Sequence, residues 1–301
     1  MYPYPPVLVV SALILGELLM KFLICGLGHM GKIHKKYLEQ LKVEWVYYDP
    51  FVGDEYSQSA RRILDLQAIK THNITHAIIA SPEENHYENY IALRENGFEG
   101  PILIEKPAVL DSSNFNVFND GRVSVGFVER HNPAVKVLKN NIDPSDVISV
   151  DFTRCSVKTM STQRVDSFTD VGIHDIDLFF HLFGEKNSLE YYFAGFSNTF
   201  TLNLRKEKGF LARFIWSNET SFKERKIIVR HKSYTLIADL IAQVVKRESA
   251  DENGRIITET FYVEKTSPIL SQLLDFIDTG STGTGERSHS FYLGLREENN
   301  G

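Results

Sequence analysis

KFLICGLGHMGKIHKKYLEQL, residues 21–41, decides the fold. KFLIC is a short apolar run of strand length, GLGHMG follows it with no spacer, and Met30, Ile33, Tyr37 and Leu41 then recur at helical spacing. In the order strand, glycine turn, helix, the pattern G-x-G-x-x-G acquires a physical meaning. Gly26 permits the tight turn, Gly28 lets backbone approach a pyrophosphate, and Gly31 lets the helix pack on the strand. Leu27, His29 and Met30 complete that loop, and the helix N-terminus offers unpaired N–H groups to an anion.

The next apolar run, VEWVYY, ends in Asp49, about 20 residues further on, where an acid accepts hydrogen bonds from the adenosine ribose hydroxyls. A carboxylate there repels a 2′-phosphate and no arginine follows it immediately, so NAD is favoured over NADP. Flavin and S-adenosylmethionine sites share the glycine turn and the acid, and only downstream chemistry separates them from a nicotinamide site.

Outward from this unit, apolar runs alternate with amphipathic stretches: EYSQSARRILDLQAI, HAIIAS, PEENHYENYIALRENG and PILIE. The βαβαβαβ alternation predicts a doubly wound parallel sheet with helices on both faces, a Rossmann unit over residues 20–126. Pro82 fits a first helical turn and Gly97 a left-handed helix end. Beyond Gly126 strand-like runs dominate: VISVDFTR, LEYYFAGFS, TFTLNLR, GFLARFIW, KIIVRH, SYTLIA and RIITETFYV. They predict an α+β domain over 127–301 with an open, mostly antiparallel sheet and a helix over 170–183. TGSTGTGE, 279–286, reads as a mobile loop.

The bulk numbers agree with two domains, since 301 residues exceed a comfortable single core. A net charge of −6 without a basic block argues against a nucleic-acid partner. The two cysteines, Cys25 and Cys155, have no CxxC spacing, which indicates neither a disulfide framework nor a zinc knuckle and fits a reducing, cytoplasmic setting. Residues 1–19 contain an apolar run interrupted at Gly16-Glu17, short of the ~20 residues a membrane span needs, so they read as an extension of unclear role rather than an anchor.

Four stretches together, CGLGHMG (25–31), ASPEENH (80–86), IEKP (104–107) and DVGIHDID (170–177), resemble the Gfo/Idh/MocA oxidoreductases, as does VGFVERHNPA (125–134). The resemblance implies that Ser81, Pro82 and His86 line the cofactor site and that Glu105, Lys106 and Pro107 bring the Lys106 ammonium beside the nicotinamide and the reacting carbon. It also implies a general base at His174 with Asp170 adjusting it, a structural Asp177, and Arg130 and Asn132 near the cleft. His131 stands where many relatives carry an aromatic residue. Arg154, Lys158 and Arg164 are candidate contacts for a phosphate or carboxylate of the substrate.

At helical spacing Asp170, His174, Asp177 and His181 fall on one face. Removing a hydride from a secondary alcohol requires a base for the hydroxyl proton, and imidazole suits that step near neutral pH. A stripe rising ~5.4 Å per turn cannot wrap four ligands around one ion at ~2 Å, so no metal is expected, and His181 reads as a helix histidine satisfied by a neighbour. The expectation is an NAD-dependent dehydrogenase of a sugar, cyclitol or nucleotide sugar, working as a homodimer or homotetramer. A non-catalytic NAD-responsive scaffold of the same fold and a reductase of the dihydrodiol or biliverdin type are the alternatives.

Overall fold

The computed structural model describes residues 20–51, 61–157, 166–184, 189–206 and 209–300. The extension at 1–19, Lys158 and Arg164 therefore lie outside the described residues. The chain divides into two units, Met1–Gly126 with Ile269–Glu286, and Phe127–Pro268 with Arg287–Gly301.

In the first unit β1 (Lys21–Cys25), β2 (Glu44–Tyr48), β3 (His76–Ile79), β4 (Ile102–Ile104) and β5 (Val123–Val125) form a five-stranded sheet in the order β2-β1-β3-β4-β5. Every pairing is parallel. The strands are almost entirely buried, as helix-covered parallel strands must be. Helices α1 (His29–Gln40) and α2 (His86–Glu95) follow β1 and β3, and Gly97 takes a positive φ of 76° after α2.

Three details depart from the sequence expectation. The buried positions of α1 are Gly31, His34 and Leu38, with Met30, Tyr37 and Leu41 packed beside them. Where an amphipathic helix is expected after β2, the described residues hold a 3₁₀ segment, Leu66–His72, begun by Asp65 accepting from the Gln67 N–H. The unit also recruits α5 (Pro268–Thr279), whose Leu273 and Phe276 are buried in the core with Phe22, Ile24 and Tyr47. The Phe22 ring stacks on His76 and meets Phe276 edge-on, which gives the returning chain its seat.

The TGSTGTGE stretch is tied to β5 rather than left loose. Val125 N–H donates to Gly283 O at 3.0 Å and Thr282 N–H to Ser124 Oγ at 2.8 Å, so the sheet edge organises a segment whose composition alone predicts mobility. Gly280, Gly283 and Gly285 take positive φ there.

In the second unit eight strands make one sheet, ordered β13-β12-β11-β10-β6-β9-β8-β7. They are β6 (Val147–Cys155), β7 (Leu189–Phe196), β8 (Thr199–Lys206), β9 (Leu211–Ser217), β10 (Glu224–His231), β11 (Tyr234–Asp239), β12 (Val244–Ala250) and β13 (Ile256–Phe261). All pairs are antiparallel except β6 with β9. Phe152, Phe214 and Trp216 alternate inward, and their rings stack with centroids 4.6 and 5.4 Å apart. The remaining helices are α3 (Pro133–Asn141), α4 (Ile173–Phe183) and α6 (Glu286–Asn300). Phe168, Phe179 and Phe180, on and just before α4, are buried. Immediately before α4 the chain makes a π turn, Phe168–Gly172.

Candidate functional site

The strand order of the first unit reverses between β1 and β3, and open parallel sheets bind ligands outside the carboxyl ends of strands at such a point. Here the turn after β1 and the turn after β3 touch. Gly26, at φ 94°, lies so near Ser81 that a Cβ would sit 2.6 Å from the Ser81 Cα, and a Cβ on Gly31 would sit 2.0 Å from Gly26 O. A Cβ on Gly28, in contrast, would meet nothing within 4 Å. Gly28 is also the N-cap of α1 and supplies no side-chain cap to the first-turn N–H groups, and Gly28 and His29 are exposed. Met30 is half-buried at that helix start. The cradle has the form a diphosphate needs: donors, no Cβ in the way, and the positive end of a helix.

Beside it Asp49 is held in place by backbone. Oδ2 accepts from Leu27 N–H at 2.7 Å and Oδ1 from Phe51 N–H at 2.8 Å, so the carboxylate is fixed against the glycine turn. A pocket of about 250 Å³ is lined by Gly26, Asp49, Phe51, Ser81, Pro82 and Asn89, among others. Arg62 returns to this neighbourhood, donating from Nη2 to Asp49 O at 3.2 Å, although it is thirteen residues from Asp49. No arginine follows Asp49 immediately in sequence, but the fold brings Arg62 to its backbone.

His86 is buried, with Nδ1 2.8 Å from Pro107 O and Nε2 2.9 Å from Ser81 O. It thus ties the turn after β3 to the Lys106–Pro107 segment, whose peptide bond is cis. Glu105 is buried against His34, Nε2 to Oε1 at 2.7 Å. Burial pushes the Glu105 carboxyl upward, but the hydrogen bond and charge of His34, with Lys106 and His86 further off, outweigh it and hold the group below the usual carboxylate range. A Cβ on Gly126 would come 2.9 Å from Glu105 Oε2, so the carboxylate fills the space a side chain would take. Lys106 is half-buried, next in sequence to this pair. Sequence reasoning missed His34, whose acidic partner lies 71 residues away. The Cys25 thiol is buried, and burial pushes its pKa up to about 12, far from a reactive thiolate.

In the second unit the predicted stripe divides. Asp170 is exposed within the π turn, His174 is half-buried in the first turn of α4, and Asp177 is buried. Asp177 accepts from Arg130 Nε at 2.7 Å and Nη2 at 2.5 Å and from Ser288 Oγ at 2.9 Å, a structural engagement of both Asp177 and Arg130. Asn132, expected near substrate, is buried. Its Oδ1 caps α3 at Ala134 N–H and its Nδ2 donates to Leu240 O at 3.0 Å. That amide is occupied as a helix cap and cross-link, which corrects the reading of Asn132 as a substrate contact. His181 Nε2 lies 3.3 Å from Lys139 Nζ, the neighbour expected for it.

Arg154 also departs from the expected anion contact. Its guanidinium is buried and spent on Asp175 and Glu129, and Arg225 Nη1 reaches the same Glu129 Oε1 at 3.0 Å. Asp175 further accepts from Trp216 Nε1 at 3.0 Å. Burial alone would lower the Arg154 pKa, but the two carboxylates raise it; burial alone would raise Glu129, but Arg154 and then Arg225 lower it. In front of this group a cavity of about 410 Å³ is lined by Arg154, Ser156, Asp170, Asn218, Lys223 and Arg225 with three neighbours. Among the described residues no group of three or more His, Cys, Asp or Glu could hold a metal ion, and no helix is long and apolar enough to cross a membrane.

No protein-family model and no curated protein matches the chain by sequence. Solved structures do match it. The UDP-N-acetylglucosamine 3-dehydrogenase of Acidithiobacillus ferrooxidans superposes with a TM-score of 0.79 at 16% identity, over 91% of this chain and 96% of that one. Levoglucosan dehydrogenase, solved with NADH and levoglucosan, gives 0.73 at 16% identity over 91% and 94%. A probable dehydrogenase from Thermotoga maritima gives 0.72 at 20% identity over 92% and 94%. Over 91–92% of its length, then, the chain has the two-domain fold of the Gfo/Idh/MocA-type dehydrogenases that its glycine turn, Glu-Lys-Pro and Asp-Val-Gly-Ile-His stretches resemble.

Proposed function

We propose that this chain is a nicotinamide-dependent oxidoreductase acting on a hydroxyl-bearing carbon of a carbohydrate-like substrate, with NAD preferred to NADP. The observation that carries the reading is the cradle at Gly28. It is open to 4 Å, lies at an uncapped helix start, and is flanked by a carboxylate fixed on the backbone of the same turn. A pyrophosphate fits the open donors and a ribose diol fits the remaining lone pairs of Asp49. The nicotinamide, when bound, takes or gives the hydride.

The chain supplies the rest. Gly28, His29 and Met30 bind the diphosphate, Leu27 N–H holds Asp49 beside it, and Ser81 and Pro82 wall the pocket. His86 holds the Lys106–Pro107 segment in place through two carbonyl groups, and the His34–Glu105 pair keeps a buried negative charge next to Lys106 in sequence. In this reading the Lys106 ammonium stabilises the oxygen that gains charge as hydride leaves, in the manner of an oxyanion donor. His174 takes the hydroxyl proton, and Asp170, in the turn before α4, orients the hydroxyl. Arg130 acts through Asp177 by fixing α4. The substrate roles of Arg154 and Asn132 are not retained, and a homo-oligomer completes the proposal.

The test is NAD reduction, read at the nicotinamide absorbance, across sugars, inositols and nucleotide sugars, with the reverse reaction read using NADH. Turnover that disappears in Lys106→Met while NADH binding persists supports the assignment. Undiminished turnover in that variant removes Lys106 from the chemistry.

A further inference from the structure

Lys223, the residue before β10, and Arg225, the second residue of that strand, line the same cavity. Directly opposite Arg225 in the β6–β10 pairing is Arg154. Like charges in such cross-strand positions repel, and acids must balance them. Asp170 is the one acid among the residues lining the cavity, and the other two acids are already engaged. Asp175 and Glu129 absorb Arg154, Glu129 also takes Arg225, and Lys223, which is exposed, forms no ion pair among the described residues. Its pKa is lowered, first by the Arg225 charge, then by burial and by Arg154. The 410 Å³ cavity receives Lys223, Arg225 and Arg154 together.

A second observation comes from another strand. Asn218, just past β9, is buried and lines the same cavity; its Oδ1 accepts from Ser156 Oγ at 2.7 Å, while Nδ2 is buried with no hydrogen-bond partner. A buried amide donor left without an acceptor is costly, so its position calls for an acceptor from outside the chain. Asp170 lines the cavity too, which puts the site beside a residue assigned to the reaction.

We propose that the substrate carries an anionic group, a phosphate or a carboxylate, which this cavity binds through Lys223 and Arg225 with Asn218 Nδ2 as a neutral donor. The assignment rests on the oxidoreductase reading above, whose substrate it narrows from carbohydrates in general to acidic or phosphorylated ones. An anion there relieves the Lys223–Arg225 repulsion and satisfies the orphaned amide at once, whereas a neutral sugar does only the second. Arg154 takes no direct part, its donors being turned to acids.

The experiment is calorimetric titration of the full-length protein with inorganic phosphate, UDP and glucuronate, with glucose as the neutral control. NADH fluorescence is measured on the same samples. Lys223→Gln is the first variant, because an exposed residue outside every described ion pair can change without disturbing the fold; Lys223→Glu reverses the charge at the same place. At least one anion is expected to bind more tightly than glucose, to weaken roughly tenfold in Lys223→Gln and further in Lys223→Glu, and to weaken with added salt, while NADH binding holds. Binding of phosphate and UDP assigns a phosphoryl group, and binding of glucuronate alone assigns a carboxylate. NADH bound with all three anions ignored, or with anion affinity indifferent to both variants, overturns the anion site and leaves the oxidoreductase reading standing. Lys223-dependent anion binding without NADH binding overturns the oxidoreductase reading, and with it the assignment of the anion to a substrate.

Discussion

Arg154 closes on Asp175 through Nε, at 3.0 and 3.1 Å from the two carboxylate oxygens, and through Nη2 at 2.7 Å, with both residues buried. The pair joins the carboxyl end of β6 to the first turn of α4, and Trp216 on β9 donates to the same carboxylate. It therefore fixes the helix that carries His174 to the sheet beneath it. Removing one member of a buried pair strands the other charge, which costs about 3–5 kcal/mol. Asp175→Asn should lower the unfolding free energy by that order in chemical unfolding followed by fluorescence, and Trp216 emission should shift as its indole loses a charged acceptor. A midpoint within experimental error of the parent would show that the pair is not part of the packing.

In the function proposed above, cofactor choice falls to Asp49. Its two oxygens are each engaged once by backbone N–H groups, which leaves lone pairs for a diol but holds a negative charge against any phosphate. Asp49→Ser should reduce the preference for NAD by roughly tenfold, chiefly through NAD affinity. With Arg62 already beside Asp49, NADP binding should improve in the same variant. Dissociation constants of NADH and NADPH from fluorescence titration decide it.

Gly31 has no room for a side chain, since a Cβ would sit 2.0 Å from Gly26 O. Gly31→Ala should push α1 away from the glycine turn and abolish NADH binding. Gly28→Ala should keep the fold, because nothing stands within 4 Å, and reduce only diphosphate affinity. Paired thermal melts and NADH titrations separate the two effects.

His181 gives a prediction with pH. Burial, then the charges of Lys139, Arg130 and His131, lower its pKa from 6.5 to about 4, and the Lys139 ammonium, a pure donor, requires Nε2 to accept. The folded state therefore disfavours a proton that the unfolded chain takes up below 6.5. Its contribution to stability is complete above 6.5 and is lost as pH falls toward 4. His181→Gln should flatten the stability profile across that window in denaturation series at fixed ionic strength, with little change at pH 8.

Tyr192, Phe196 and Ile256 are exposed on β7 and β13, the two edge strands of the eight-stranded sheet. Edges and apolar residues left in this state are covered by assembly in stable proteins. Light scattering after size exclusion should return the mass of two or four chains, and Phe196→Asp should shift it downward.

The first unit was legible in sequence because its signals are local. The glycine turn follows its strand directly, and Gly97 sits where a left-handed helix end is needed. What escaped the reading depends on distant partners. His34 falls on the apolar stripe of α1 with nothing local to pair it until Glu105 arrives from the end of β4, and Asp175 is hidden among its neighbours until Arg154 and Trp216 supply its bonds. The Asp170 to His181 stripe assumed one uninterrupted helix, whereas the π turn at Phe168–Gly172 changes the spacing at its start. β12 was overlooked because VVKRESA is apolar only at its beginning. β5 has just three residues and lies inside a longer stretch without periodicity.

The return of Ile269–Glu286 to the first unit has a consequence for biosynthesis. A nascent chain ending at Gly126 holds every strand of its parallel sheet yet lacks Leu273 and Phe276 to cap Phe22, and lacks Gly283 to hold β5. At about 5–20 residues per second the ribosome needs many seconds more to deliver them. The earliest-made half of this protein is thus the half that must wait for the last.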